Sequence, residues 1–554
     1  MRNRPNATLT YRASCTALLA LACLRCGSSS ANDKGSAPAS GNGSFGGSSA
    51  SQSPTSPGSN LGAELPNAAT GGASSSSGGA APVIVPPEKV ERSFLAPVVT
   101  GKYVFSANPK SGRVAVIDAE TYGVRLFNAG FGPKYLTAIP GGKGAIVINE
   151  LSHDTTLFRF AGDDVSVAGA NLPVHEGANA WSVSPDGRFA IAWTQTDPAA
   201  TLDPTGGSQD ISVLDLEQLK PTRLSVGFHP TQVTLDSTSE HAFVVNDEGV
   251  SVVTLGEKPT LSLLAHVSDD PLEEPAARDV SIVPDGTLAV VRVDGSSQLR
   301  VVDLAHDTRV LYDLGAPISD VNLSKDGKLA IAALPGLGQV VLVPVPPTGD
   351  AASFERVAIP GEVTSSVAIS DDSEIALLFQ NSEAAHNSHL TILDLRPAKQ
   401  RALRTVDVKG PVDQAFTAPG AASAIVFQRP IAGSNKLGLF SGVPTLERRS
   451  AKIVGTDAQP SDRAFSKDGA FALVTVGSEQ SAVHGVYCVR LDTLQTDFVE
   501  LASPPSPGAT GIVEQVGRGF VAQSHPEGRI TFIDLQTAKA HTITGFELAA
   551  RILQ

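Results

Sequence analysis

The chain of 554 residues is 41% hydrophobic but only 5% aromatic, so any core must be built mainly from Val, Leu, Ile and Ala. Its formal net charge of −14 opposes nucleic-acid phosphates and anionic lipid headgroups, and no run of Lys and Arg overrides it. Of four Cys, three (Cys15, Cys23 and Cys26) lie near the N-terminus and leave Cys488 alone in the body, which excludes a disulfide framework, zinc-finger spacing and a CxxCH haem attachment.

In chain order, Arg2, Arg4 and Arg12 form a basic leader, followed by an apolar run over residues 13–24 that is too short to span a bilayer comfortably. The run ends in Leu19-Ala20-Leu21-Ala22-Cys23. This ending resembles the bacterial lipobox, and the resemblance implies a signal peptide over 1–23 with acylation at Cys23. Ala20 departs from the pattern, which favours Leu there, and Cys26 fits less well because Arg25 precedes it. Leu24 after the acylated Cys implies the outer membrane by analogy with enterobacterial sorting. The expected location is therefore the cell envelope, facing the periplasm or the cell surface, with membrane contact through the lipid. Residues 24–88 collapse to Ser, Gly, Ala, Asn and Pro, a composition that cannot offset its ordering entropy and predicts a flexible tether.

The body, residues 89–554, is a repeat. A β-branched strand ending in Asp recurs at residues 113–118, 211–215, 299–303, 390–394 and 530–534. Weaker copies occupy 154–160, 249–255, 339–345, 436–442 and 486–492, which gives a period of about 46 residues. Upstream of these copies stands a second element: strand, polar turn, strand. It reads SVSPDGRFAIA from Ser182, SIVPDGTLAVV from Ser281, NLSKDGKLAIA from Asn322 and AFSKDGAFALV from Ala464. Asp-Gly between apolar runs is a strong hairpin signal, because Gly supplies the positive φ of the turn at no steric cost. The unit is strand a, hairpin, strand b, variable loop, strand c ending in Asp, turn, strand d. The expected fold is all-β: a β-propeller of four-stranded antiparallel blades, about ten repeats in one large ring or two smaller propellers. Closure is open between residues 546–553 and 93–99, either of which can lie beside residues 103–107.

These motifs resemble the extracytoplasmic propeller repeats called YVTN or lactonase-like. The resemblance covers roughly residues 92–550 and implies architecture; such repeats occur in surface-layer proteins, adhesins and lactonases, so function does not follow from it.

Catalytic signals are sparse. There is no G-x-S-x-G elbow, P-loop or dinucleotide fingerprint. The recurrent Asp118, Asp215, Asp303, Asp394 and Asp534 read as caps of the turn that follows each strand c. Two acidic loops, one with Asp197, Asp203 and Asp210 and one with Asp269, Asp270, Glu273 and Glu274, lack a calcium-loop pattern and read as solvated. His386 and His389 form an H-x-x-H without the helical Glu of zinc proteases, so no metal and no cofactor is expected. Trp181 and Trp193 read as blade packing. The candidate binding residues stand at the start of strand a, which lines a propeller channel: Gln232, Arg278, Asp279, Asp320, Asp413, Gln414, Asp462 and Arg463, with Ser365 and Ser366 in the same register. No residue is assigned a catalytic role. The expected function is a non-enzymatic, envelope-anchored binding or scaffold module for a protein or polar ligand. A periplasmic hydrolase of the lactonase type is the alternative, and a haem-carrying propeller is disfavoured by the missing haem motif and the single Met.

Overall fold

The computed structural model describes residues 96–162, 164–195, 209–381, 387–430 and 433–546. These form ten four-stranded antiparallel sheets, each taken from contiguous chain in the order a-b-c-d and arranged as the blades of one ring. Blades 1 to 10 span residues 98–128, 133–173, 180–225, 232–266, 278–313, 320–358, 366–407, 412–456, 460–500 and 505–544. The alternative of two smaller propellers is thereby excluded.

Strands b and c are buried on both faces, and their sequences are correspondingly continuous in apolar residues. In blade 9 all six residues of strand b, Phe471–Val476, are buried. Successive side chains point to opposite faces, so Ala190 and Ala192 pack toward blade 2 while Phe189, Ile191 and Trp193 pack toward blade 4. Ten apolar clusters fill the ten seams between neighbouring blades, and no cluster lies within a blade alone.

The ring closes without exchange of a strand. Val98–Thr100 forms the inner strand of blade 1, paired with Tyr103–Asn108, so the N-terminal of the two candidate segments takes that place. Phe546 is buried in the closing seam, and residues 547–553 lie outside the described residues. Val104, Ala115 and Ile117 of blade 1 pack there against Val513, Phe520, Ile530 and Phe532 of blade 10. Arg518 fastens the seam by donating to the carbonyls of Ala119 and Glu120 while its guanidinium lies 4.6 Å over the Tyr122 ring.

The a–b hairpins repeat one hydrogen-bond circuit. In blade 3 the Ser184 hydroxyl donates to Asp186 Oδ1 (2.6 Å) and accepts from the Phe189 amide (2.8 Å), while Asp186 Oδ1 accepts from the Arg188 amide (2.9 Å). Ser324 with Asp326, Ser370 with Asp372 and Ser466 with Asp468 repeat it in blades 6, 7 and 9. Each turn needs one left-handed residue, supplied by Gly187 (φ 70°) in blade 3 and by Ser373 (φ 59°) in blade 7. The Asp at the end of strand c caps the next turn as its position predicts. Asp118 Oδ1 accepts from the Glu120 and Thr121 amides at 2.8 and 3.0 Å, and Asp215, Asp303, Asp394 and Asp534 do the same locally.

Candidate functional site

Strand a of every blade runs from the face carrying the b–c and d–a loops toward the face carrying the a–b and c–d turns. We call these the entrance face and the turn face. The first residue of strand a therefore stands where the entrance face meets the channel.

Strand alternation divides the candidate residues between neighbours instead of aiming all of them into the channel. Asp320 begins Asp320–Leu323, the inner strand of blade 6, and its Oδ2 accepts from the Val367 amide of blade 7 at 2.7 Å. Two residues on, Asn322 Oδ1 accepts from the Ile369 amide at 3.2 Å. Asp462 does the same in blade 9, its Oδ2 accepting from the Thr510 amide of blade 10 at 3.3 Å. Arg463, one position later, faces the other way and lies 3.8 Å over the Phe416 ring of blade 8. These polar groups stitch inner strands of adjacent blades together, a role sequence position alone did not separate from ligand binding.

Arg278 is likewise taken. Its Nε donates to Glu273 Oε1 at 2.7 Å and one of its terminal nitrogens to the Asp247 carbonyl at 2.9 Å, and little of its side chain reaches solvent. Gln232 donates to the Thr234 hydroxyl at 3.1 Å along its own strand. Asp413 is the extra residue of a β-bulge between Val412 and Gln414; the bulge leaves its side chain exposed and Gln414 half-buried. Ser365 donates to the Asn381 side chain at 3.1 Å, and Ser366 is buried.

What the fold does bring together is a cluster on the seam between blades 5 and 6: Asp279, Arg292, Asp294 and Asp320. Asp279 keeps 46% of its side chain exposed and lies 3.8 Å from Arg292 Nε, whereas Arg292 Nη1 is bound more closely by Asp294 at 2.5 Å. Burial between inner strands pushes the Asp320 carboxyl up to about 6, opposed by its hydrogen bond from Val367 and assisted by the negative charge of Asp279. Burial also raises Asp279, with Arg292 opposing, and it raises Asp462 with Arg463 opposing. Asp279 and Asp294 thus share one guanidinium at the entrance, with Asp320 close enough to feel the charges of Asp279 and Arg292.

Of the other candidates, Asp269 pairs with Arg309 and Asp210 with Arg223, while Asp197, Asp203, His386 and the lipidation candidate Cys23 lie outside the described residues. His389 Nδ1 sits 2.9 Å from Glu362. The Trp181 indole donates to the Tyr135 carbonyl of blade 2 at 2.9 Å, and Trp193 is buried; both pack blades.

Sequence reasoning missed Arg292, which stands on strand b in a run that reads as plain core (LAVVRV). The charge inside that run was the available signal. It also missed His175, a buried imidazole between the Ser212 and Thr194 hydroxyls (2.9 and 3.1 Å) whose pKa burial lowers to about 4. With Ser212 only 1% exposed, this pair holds the loop before blade 3 and is closed to substrate.

No family profile matches the chain, and no curated protein does. Among solved structures it is similar to the dihydro-heme d1 dehydrogenase NirN in complex with DHE, at 13% identity and TM-score 0.36 over 75% of each chain. It is also similar to a eukaryotic initiation factor (10% identity, TM-score 0.46, covering 80% of this chain and 97% of that one). The hydrazine synthase of Kuenenia stuttgartiensis matches at 13% identity and TM-score 0.31, covering 66% of this chain and 95% of that one.

Proposed function

We propose that this protein is a binding propeller of the bacterial cell envelope, anchored through a lipid on Cys23 and capturing a cationic or otherwise polar ligand at the channel entrance. The observation that carries the reading is the seam between blades 5 and 6, where Asp279 and Asp294 pair with the single guanidinium of Arg292 and Asp320 stands within reach of their charges. Carboxyl groups held with too few counter-ions attract a cation from outside. The Leu-Ala-Cys23 ending and the low-complexity segment after it support presentation of the ring at a distance from the membrane. The hydrolase reading keeps one supporting observation. A carboxyl poised at about 6 beside a second carboxyl is the kind of group that moves protons near neutral pH.

One experiment separates the two readings. Full-length protein made in a lipoprotein-competent host is compared with Asp279→Asn/Asp320→Asn for capture of envelope components and for turnover of lactones and aryl esters. A binding module loses capture in the variant, keeps a melting temperature at least as high as the parent, and shows no turnover in either form. Turnover by the parent that disappears in the variant makes it an enzyme. Capture that persists unchanged in the variant removes the seam from the account.

A further inference from the structure

The two faces of the ring differ in what they show to water. Six large apolar side chains project from loops: Phe131, Leu151, Leu272, Leu337, Val363 and Leu437, between 46% and 90% exposed. By their place between strands all six belong to b–c or d–a loops, hence to the entrance face. Neighbour contacts agree: the Leu151 amide donates to the Phe131 carbonyl at 3.1 Å, and Gln459 on a d–a loop donates to the Leu437 carbonyl on a b–c loop at 2.6 Å. Among the described residues of the turn-face loops only Leu219 is comparable, at 37%. Charge is divided in the same way. Among the described entrance loops thirteen acidic residues stand against four basic ones, Lys110, Lys409, Arg429 and Lys436; the described turn loops carry seventeen against thirteen. The entrance face is therefore apolar-tipped and strongly acidic, and the turn face is neither.

One loop concentrates both properties. Residues 267–277, between blades 4 and 5, form the longest fully described entrance loop. Its Glu273 carboxylate is gripped by two arginines, Arg278 (Nε to Oε1, 2.7 Å) and Arg300 (Nη1 to Oε1, 2.8 Å, with Nη2 on Oε2), and all three side chains are nearly buried. Asp269 on Arg309 and the Arg300 bond to the Val267 carbonyl (3.1 Å) fix the first half of the loop. Held next to this clamp, Leu272 is 90% exposed, with Asp270 and Glu274 on either side. Ordering a loop costs backbone entropy at every residue fixed. Here buried ion pairs spend that ordering on presenting a leucine to water, the disposition of an interface anchor awaiting its pocket.

We infer that the entrance face is a protein-docking surface whose anchor is Leu272, and that the partner is a basic protein segment offering an apolar cleft or apolar face ringed by Lys and Arg. Charge decides the occupant. Anionic lipid and nucleic acid are repelled, a second copy of the same face meets like charge, and residues 24–88 of this chain carry acidic and basic residues in near balance. The inference rests on the binding reading above and gives the partner its chemistry.

The test uses full-length protein and three labelled fourteen-residue probes: an amphipathic Leu/Lys peptide, its Leu/Glu counterpart, and a Ser/Lys peptide of the same charge without the apolar face. Fluorescence anisotropy should show the Leu/Lys peptide binding at least tenfold more tightly than either other probe. Leu272→Ser, and separately Asp270→Asn with Glu274→Gln, should each weaken it at least fivefold. The turn-face change Asp371→Asn with Glu374→Gln should leave it within twofold. Equal loss from the turn-face variant, equal binding of the Ser/Lys peptide, or no loss from Leu272→Ser overturns the docking surface. Loss only in Asp279→Asn/Asp320→Asn overturns it too while sustaining the channel reading, so the two proposals fail separately.

Discussion

The turn face and the entrance face are built from the same ten repeats, yet carboxylates mean different things on them. On the turn face an Asp is consumed by its own turn. Asp215 is buried, accepts from the Glu217 and Gln218 amides at 3.0 Å each, and holds Arg188 through Oδ2 at 2.9 Å. On the entrance face the carboxylates have no common role: Asp320 crosses to Val367 of the next blade, Glu273 is clamped by Arg278 and Arg300, and Asp413 stands in solvent. The turn face is a set of local circuits repeated in nearly every blade. The entrance face is where the repeats diverge, in loop length, charge and exposed apolar residues.

That contrast predicts a hierarchy of mutational effects. Asp215→Ala should be the most damaging, costing about 2–4 kcal/mol, because it removes a buried carboxylate that serves two capped amides and the partly exposed Arg188 guanidinium together. Denaturant unfolding measures this, and a loss below about 1 kcal/mol would make the strand-c caps ornamental. Next comes Asp320→Asn, with the opposite sign. Its folded carboxyl lies at about 6, above the unfolded value near 3.9, so the folded state prefers the protonated form. The burial penalty is absent below about pH 4 and fully expressed above about pH 6, so wild-type stability falls across that window. Asparagine keeps an oxygen for the Val367 amide without the charge. The variant should therefore be more stable than the parent by about 1–3 kcal/mol at pH 7.5 and indistinguishable from it at pH 4. A difference that ignores pH would show that burial of the carboxyl is not what raises it. Smallest of all is Asp413→Ala, on an exposed bulge, where a change of no more than about 0.5 kcal/mol is expected from thermal melts. A larger loss would place a structural contact on the entrance face and erode the distinction between the two surfaces.

The candidate ring illustrates how far sequence register reaches. Aligning the starts of strand a placed these polar residues at or near the beginnings of the inner strands, because the repeat fixes where each strand begins. It could not say which way each side chain faces. Asp462 and Arg463 are adjacent in sequence and therefore point to opposite blades, and a single bulged residue at Asp413 resets the alternation locally. Arg292 escaped notice because it comes from strand b, outside the aligned register, and meets Asp279 only across the hairpin pairing.

The sequence by itself determined the blade: four strands per repeat, Ser-x-Asp-Gly hairpins, an Asp cap after strand c, and buried b and c strands. All of these follow from interactions within about 46 residues, so the period carries them. Only the tertiary structure decided that ten blades close into one ring, that Val98–Thr100 supplies the inner strand of the first, and that packing of blade 10 on blade 1 needs no exchanged strand. It also decided which entrance groups are spent on neighbouring blades and which are left exposed to solvent. Closure and seam chemistry depend on contacts between different repeats, and in the case of Arg518 with Ala119 between opposite ends of the chain. No periodic pattern encodes such pairs, because a repeat specifies what each blade is and leaves open which blade it will touch.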